Sequence, residues 1–170
     1  MTKTRDGRIR GFTLIELIVV LVIIAMLSGL VVLSVGSTMD RHRLSQAVET
    51  IEAFDMRLRR EARAWRQPIS AKVNTQSKTM VVPQADGSER LFQLHQRVDV
   101  LSWRLATRRS GGRQVEIAVD GDGRSSSYVV ELGGGKSRVW LVVLGGSGQT
   151  FVTPRQDEAR GLLTLLESEK

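Results

Sequence analysis

The sequence predicts an α+β chain: a long N-terminal transmembrane and amphipathic helix packed on an antiparallel β-sheet or small sandwich. Three observations predict it. An apolar run from Phe12 to Val35 is broken only by Thr13, Glu16, Ser28, Gly29 and Ser34. Apolar residues then recur at helical spacing, beside dense charge. From Ile69 onward, short alternating or β-branched runs are separated by glycine-rich turns.

Taken in order, residues 1–11 form a basic leader. Lys3, Arg5, Arg8 and Arg10 stand against Asp6, four minus one, for a net +3. The apolar run of residues 12–36 follows. As a helix its stretch from Phe12 to Val35 is about 36 Å long at about 1.5 Å per residue, enough to cross a hydrocarbon core of about 30 Å. No later segment matches it in length and purity, which predicts a single span. Basic residues stay on the cytoplasmic side of a first span. This predicts a single-pass protein of a bacterial inner membrane, with a cytoplasmic N-terminus and a periplasmic C-terminal domain.

Composition narrows the function classes. With 170 residues the chain has room for roughly one domain and an anchor. The absence of cysteine excludes a disulfide framework and thiol chemistry. Of the formal +7, the leader supplies +3, leaving +4 interspersed with acids. That balance, with few aromatic residues for stacking, argues against a nucleic-acid groove.

Three readings compete for the first forty residues. A secretory signal peptide fits the basic start and the small residues Ser34-Val35-Gly36. Its apolar core would exceed the usual 7–15 residues and contain Glu16. A plain signal anchor leaves Gly11 and Glu16 unexplained. In the third reading the chain is cut between Gly11 and Phe12. A charge at the membrane interior costs about 2.5–3.5 kcal/mol on insertion scales, so it needs a partner. The new α-amine of Phe12 lies four residues before Glu16, on the same face if both are helical. Within one molecule or between neighbours, it would neutralise that carboxylate and set the register of stacked subunits.

Gly11-Phe12-Thr13-Leu14-Ile15-Glu16, between a short basic leader and a long apolar helix, resembles the class III signal of type IV pilins and type II secretion pseudopilins. The resemblance implies that a prepilin peptidase cuts after Gly11, that Phe12 becomes the N-methylated first residue, and that Glu16 is the assembly glutamate. It also implies partners: other major and minor pseudopilins, and an inner-membrane assembly platform with its ATPase. Many major pilins kink this helix at a proline. None is present here, which predicts a straighter helix or one loosened near Ser28-Gly29.

Residues 37–67 continue the helix as an amphipathic one. Leu44, Ile51, Leu58 and Trp65 recur every seventh residue, with Ala47, Phe54 and Ala62 between them. The stripe predicts packing on the chain's own sheet; a partner coiled coil is the other reading, and its repeat is short. The surrounding charges, among them Asp55, Arg59 and Glu61, predict a solvated face. Pro68 closes the helix at or before Gln67.

Residues 68–154 read as strands: Ile69–Val73, Thr79–Val82, Arg90–Leu94, Val98–Leu105, Gln114–Val119, Ser126–Leu132, Arg138–Leu144 and Thr150–Thr153. Short loops between neighbours predict antiparallel hairpins with one apolar face for the helix. Residues 155–170 form a tail, or a short helix over Asp157–Glu167 carrying Leu162, Leu163, Leu165 and Leu166. Gly161 weakens that helix.

The stretch from Val115 through Asp120-Gly-Asp-Gly, Tyr128-Val-Val-Glu-Leu and Val139-Trp-Leu-Val-Val resembles the C-terminal hairpins of the general secretion pathway protein H group. The related minor pilins of the fimbrial T type share that domain, and the two are not separated by these residues. Asp120-Gly-Asp-Gly lacks the remaining acids of a calcium loop and is expected to be a tight hairpin turn. Gly133-Gly-Gly-Lys and Gly145-Gly-Ser-Gly lack phosphate-loop spacing. His42 and His95 are isolated, and no catalytic set, cofactor site or metal site is expected. Two functions follow. One is a structural minor pseudopilin; the other is a minor pilin that captures DNA through Arg104, Arg108, Arg109 and Arg113.

Overall fold

The computed structural model describes residues 12–106, 112–159 and 161–162; inside the first helix, side chains are described except for residues 28–37. It divides into two compact units between Gly36 and Ser37. The chain is α+β, an N-terminal helix with antiparallel sheets, and is consistent with a pilin-like fold.

Helix α1 (Leu14–Trp65) is assigned without a break, Ser28-Gly29 included. It ends where Arg66 turns to φ 52°, a left-handed cap ahead of Pro68. Eight strands follow: β1 (Ile69–Asn74), β2 (Thr79–Pro83), β3 (Glu89–Gln93), β4 (Asp99–Leu105), β5 (Gln114–Val119), β6 (Tyr128–Gly134), β7 (Ser137–Val143) and β8 (Thr150–Thr153). Each falls where a strand is read from the sequence, with bounds shifted by a residue or two at most ends.

Two four-stranded antiparallel sheets result, ordered β3-β2-β1-β5 and β4-β6-β7-β8. The helix stripe shares one core with both. Ile51, Phe54, Leu58 and Ala62 are fully buried with Val73, Val82 and Ile117 of one sheet and Tyr128, Val130 and Leu141 of the other. Burying each large side chain is worth about 1.5–3 kcal/mol. Strands β1 and β5 alternate buried and exposed, whereas β6 is buried on both faces. The outer face of β6 and β7 is covered by the C-terminal segment: Ala159 and Leu162 pack with Val129, Trp140 and Val142. Residues 156–159 and 161–162 of that segment are helical, while Leu163, Leu165 and Leu166 lie outside the described residues.

Two expectations are corrected. Hairpins were expected between all neighbours, yet β3, β4, β5 and β6 alternate between the two sheets. The free edge of β1 takes β5 instead, in a register that sets Lys72 opposite Glu116. The Asp120 turn does form, with Asp120 Oδ1 accepting from Asp122 N at 3.0 Å and Arg124 N at 2.8 Å. It closes a crossing between sheets rather than a hairpin, held by a single bridge from Val119 to Ser125. The second correction concerns charge. Asp55, Arg59 and Glu61 are 3%, 4% and 8% exposed, so the charged residues beside the stripe are not all on a solvated face. Asp55 and Arg59 neutralise each other inside the domain.

Candidate functional site

The helix start holds the first group of candidate residues. Thr13 caps α1. Its carbonyl accepts from Glu16 N at 3.1 Å and Leu17 N at 3.2 Å, and its hydroxyl accepts a longer bond from Glu16 N at 3.4 Å. Thr13-Leu14-Ile15-Glu16 therefore has the spacing of a capping box. Among the described residues the Glu16 carboxylate makes no hydrogen bond of its own. It sits in the first turn, where the positive end of the helix dipole favours a carboxylate.

Phe12 is 80% exposed and precedes the first helical residue. It lies before the cap, not on the helix one turn below Glu16 as the four-residue spacing predicted. Gly11 and the rest of residues 1–11 lie outside the described residues.

Past the cap, every described Leu, Ile, Val and Met from Leu14 to Leu27 is between 46% and 78% exposed. A helix apolar on all sides requires a cover, either lipid or other protein. Among the described residues no helix is long and apolar enough to cross a membrane. The described side chains of this run extend only from Leu14 to Leu27, shorter than the roughly 20 residues a span takes.

Of the four arginines of the alternative reading, two lie within the described residues. Arg104 on β4 and Arg113 just before β5 are both exposed, and Arg108 and Arg109 lie outside the described residues. His42 pairs with Gln46 at 3.2 Å, and His95 Nδ1 accepts from Arg97 N at 3.1 Å. Among the described residues no group of three or more His, Cys, Asp and Glu is placed to hold a metal ion.

One constellation was missed by sequence reasoning. Arg59 Nε donates to Asp55 Oδ2 at 2.6 Å, and Arg59 Nη1 donates to the carbonyls of Gly123 at 2.9 Å and Gly145 at 2.7 Å. Arg59 Nη2 donates to Ser125 Oγ at 2.9 Å, and Tyr128 OH donates to Asp55 Oδ1 at 2.9 Å. Burial, then the charge of Asp55 and the hydrogen bond to it, push the Tyr128 phenol well above its ordinary value. The i,i+4 spacing of Asp55 and Arg59 was visible, but nothing in it separates a buried pair from a surface pair. The cluster joins the helix to the β5–β6 crossing and to the β7–β8 turn, and its role is structural.

The family model for the prokaryotic N-terminal methylation motif matches residues 7–39, the stretch that contains the capped helix start. The chain thus carries a type IV pilin-like signal, which indicates a pilin-like protein, pilin or pseudopilin, and generally implies a membrane-anchored N-terminus. That motif family is structural rather than enzymatic. No curated protein and no solved structure matches the chain.

Proposed function

We propose that the chain is a minor pseudopilin of a type II secretion machine, a structural subunit of a short periplasmic filament that supports protein export across the outer membrane. A prepilin peptidase cuts between Gly11 and Phe12, and Phe12 is methylated. The apolar helix anchors the subunit as a single span in the inner membrane until a platform and its ATPase extract it. Lateral packing against other major and minor pseudopilins then replaces lipid. The observation that carries this reading is the methylation motif over residues 7–39, seated on a capped helix whose described apolar side chains from Leu14 to Leu27 are exposed. In support of secretion rather than DNA capture, the sequence from Val115 to Val143 resembles the protein H group, although only β6 and β7 of it form a hairpin, and the exported half carries little excess positive charge.

Processing is tested by Gly11→Ala. The wild-type chain is expected to begin at N-methyl-Phe12 by intact mass, and the variant to retain its leader. A variant cleaved as well as wild type removes the proposal. The second reading, DNA capture at a pilus tip, is tested by a gel shift of the chain from Ser37 onward. Phosphate contacts give binding that weakens steeply with salt, and the secretion reading expects no shift at low salt.

A further inference from the structure

The two sheets present four outer strands, and three are visibly protected. Edge strands are blunted by charge, proline, bulges or shortness, because their unpaired N–H and C=O groups accept foreign strands. Strand β3 carries Glu89 and Arg90, and β5 carries Glu116 opposite Lys72. Strand β4 carries Asp99 and Arg104 and a register shift between Val100 and Ser102. Strand β8 reads Thr150-Phe151-Val152-Thr153, with no charge, no proline and an unshifted register against β7. Phe151 is 45% and Val152 is 51% exposed. Its shortness, and Pro154 just beyond its end on the groove wall, are the devices left to it.

A groove of about 660 Å³ lies beside this edge, lined by Leu44 and Val48 of α1, Val139 of β7 and Val152 of β8, with Arg41 and Arg138 also on its wall. Thr150 Oγ1 donates to Glu52 of α1 at 2.6 Å, so Thr150 faces the helix. Strand alternation then turns Val152 to the same side, toward the groove. Arg138 reaches Glu131 at 3.4 Å. Arg41 has no hydrogen bond or ion pair among the described residues.

We infer that the β8 edge and this groove form a docking site for an extended, acidic segment of a different protein chain, added as a fifth strand. The outer main chain of β8, unpaired among the described residues, specifies an extended backbone. The groove takes apolar side chains at alternate positions of that backbone, and Arg41 takes a carboxylate two residues further on. A second copy of this chain is the poorer occupant. Its own β8, Thr150-Phe151-Val152-Thr153, offers no carboxylate to Arg41.

The test titrates the isotope-labelled full-length chain in detergent micelles with the peptide acetyl-Val-Thr-Val-Thr-Glu-Thr-amide, followed by NMR. Saturable shifts are expected at Phe151, Val152, Val48 and Val139. Methylating alternate peptide nitrogens is expected to weaken binding about tenfold or more, as is Arg41→Glu, and lysine in place of the peptide's glutamate restores binding to that variant. The inference is overturned by no saturable shift at about 5 mM peptide, already a very weak affinity, or by equal binding of the methylated peptide. It is also overturned if a chain ending at Leu162 binds about tenfold tighter, which makes residues 163–170 the occupant, or if the peptide dissociates a dimer of the chain. The shifts are read on the β domain whether or not Gly11 is cut, so failure here leaves the pseudopilin proposal standing.

Discussion

Arg59 and Asp55, one turn apart on α1, form an ion pair at 2.6 Å with both side chains 4% exposed. The pair meets two loops. The β5–β6 crossing brings the Gly123 carbonyl to the helix and the β7–β8 turn brings the Gly145 carbonyl, and a buried acceptor left unpaired is costly. The forked guanidinium serves both carbonyls and the carboxylate at once.

Arg59→Met leaves Asp55 charged and buried with only the Tyr128 hydroxyl donating to it, and it takes a donor from the carbonyls of Gly123 and Gly145, the second of which keeps Ser125 N. Breaking a buried pair from one side costs about 3–5 kcal/mol. The urea midpoint is expected to fall accordingly, while the double variant Asp55→Leu/Arg59→Met loses less than the sum of the two single changes. A single-variant cost under about 1 kcal/mol contradicts the network's role.

Tyr128 is the only tyrosine in the chain, so its ionisation is read directly from tyrosinate absorbance. Its phenol is raised in the folded state by burial first, and then by Asp55. Above the unfolded value of about 10, the unfolded chain releases this proton more readily than the folded one. Stability from this group is therefore fully present below pH 10 and is lost as pH rises beyond it. The folded protein is expected to show no tyrosinate signal near pH 10, and urea is expected to release it. Tyr128→Phe is expected to cost about 1–2 kcal/mol at neutral pH and to flatten the alkaline decline. A tyrosinate titration at the ordinary value in the folded protein refutes the buried placement.

Gly145 and Gly146 are neighbours in the β7–β8 turn and are expected to respond oppositely to alanine. A Cβ on Gly145 falls on the Ser125 carbonyl oxygen and the adjoining main chain, which has no flexible end to move. A Cβ on Gly146 meets nothing within 4 Å. Gly145→Ala is expected to cost about 1–3 kcal/mol by overpacking, and Gly146→Ala to stay within about 0.5 kcal/mol of wild type. Thermal melts of the two variants check this, and equal melting temperatures would show that the turn does not meet Ser125–Ser127 as described.

Much of this fold was legible because each signal was local. The seven-residue stripe through Ile51 and Leu58, and the alternation in Ala71–Val73 and Val115–Val119, report which side faces a core. Turn glycines report where strands stop. What was not legible depends on distant partners. Nothing local shows that β5 leaves its neighbour β6 and pairs with β1, since the Asp120 turn has the chemistry of a hairpin. Likewise, Asp55 and Arg59 have the spacing of a surface pair and become a buried one only because loops some sixty-five residues away fold over them. At the helix start, Thr13 and Glu16 carry the capping spacing openly, three residues apart, and that spacing places Glu16 in the first turn.

That position sets the last prediction. The helix N-terminus favours the Glu16 carboxylate by about 0.3–1 kcal/mol, against about 2.5–3.5 kcal/mol for a charge at a membrane interior. The shortfall of about 2 kcal/mol corresponds to roughly a thirtyfold preference for a site that offers a cation, and in the proposed assembly that cation is the α-amine of a processed Phe12. Glu16→Ala and Glu16→Gln are both expected to be cut at Gly11 like wild type, because the cut precedes assembly. Both are expected to enter sheared filaments at least about tenfold less than wild type, quantified by immunoblot of filament against membrane fractions. The glutamine variant separates the causes, since it keeps size and hydrogen bonding and loses only the charge. Wild-type incorporation of Glu16→Gln would mean that the carboxylate serves the helix cap alone and that register is set elsewhere.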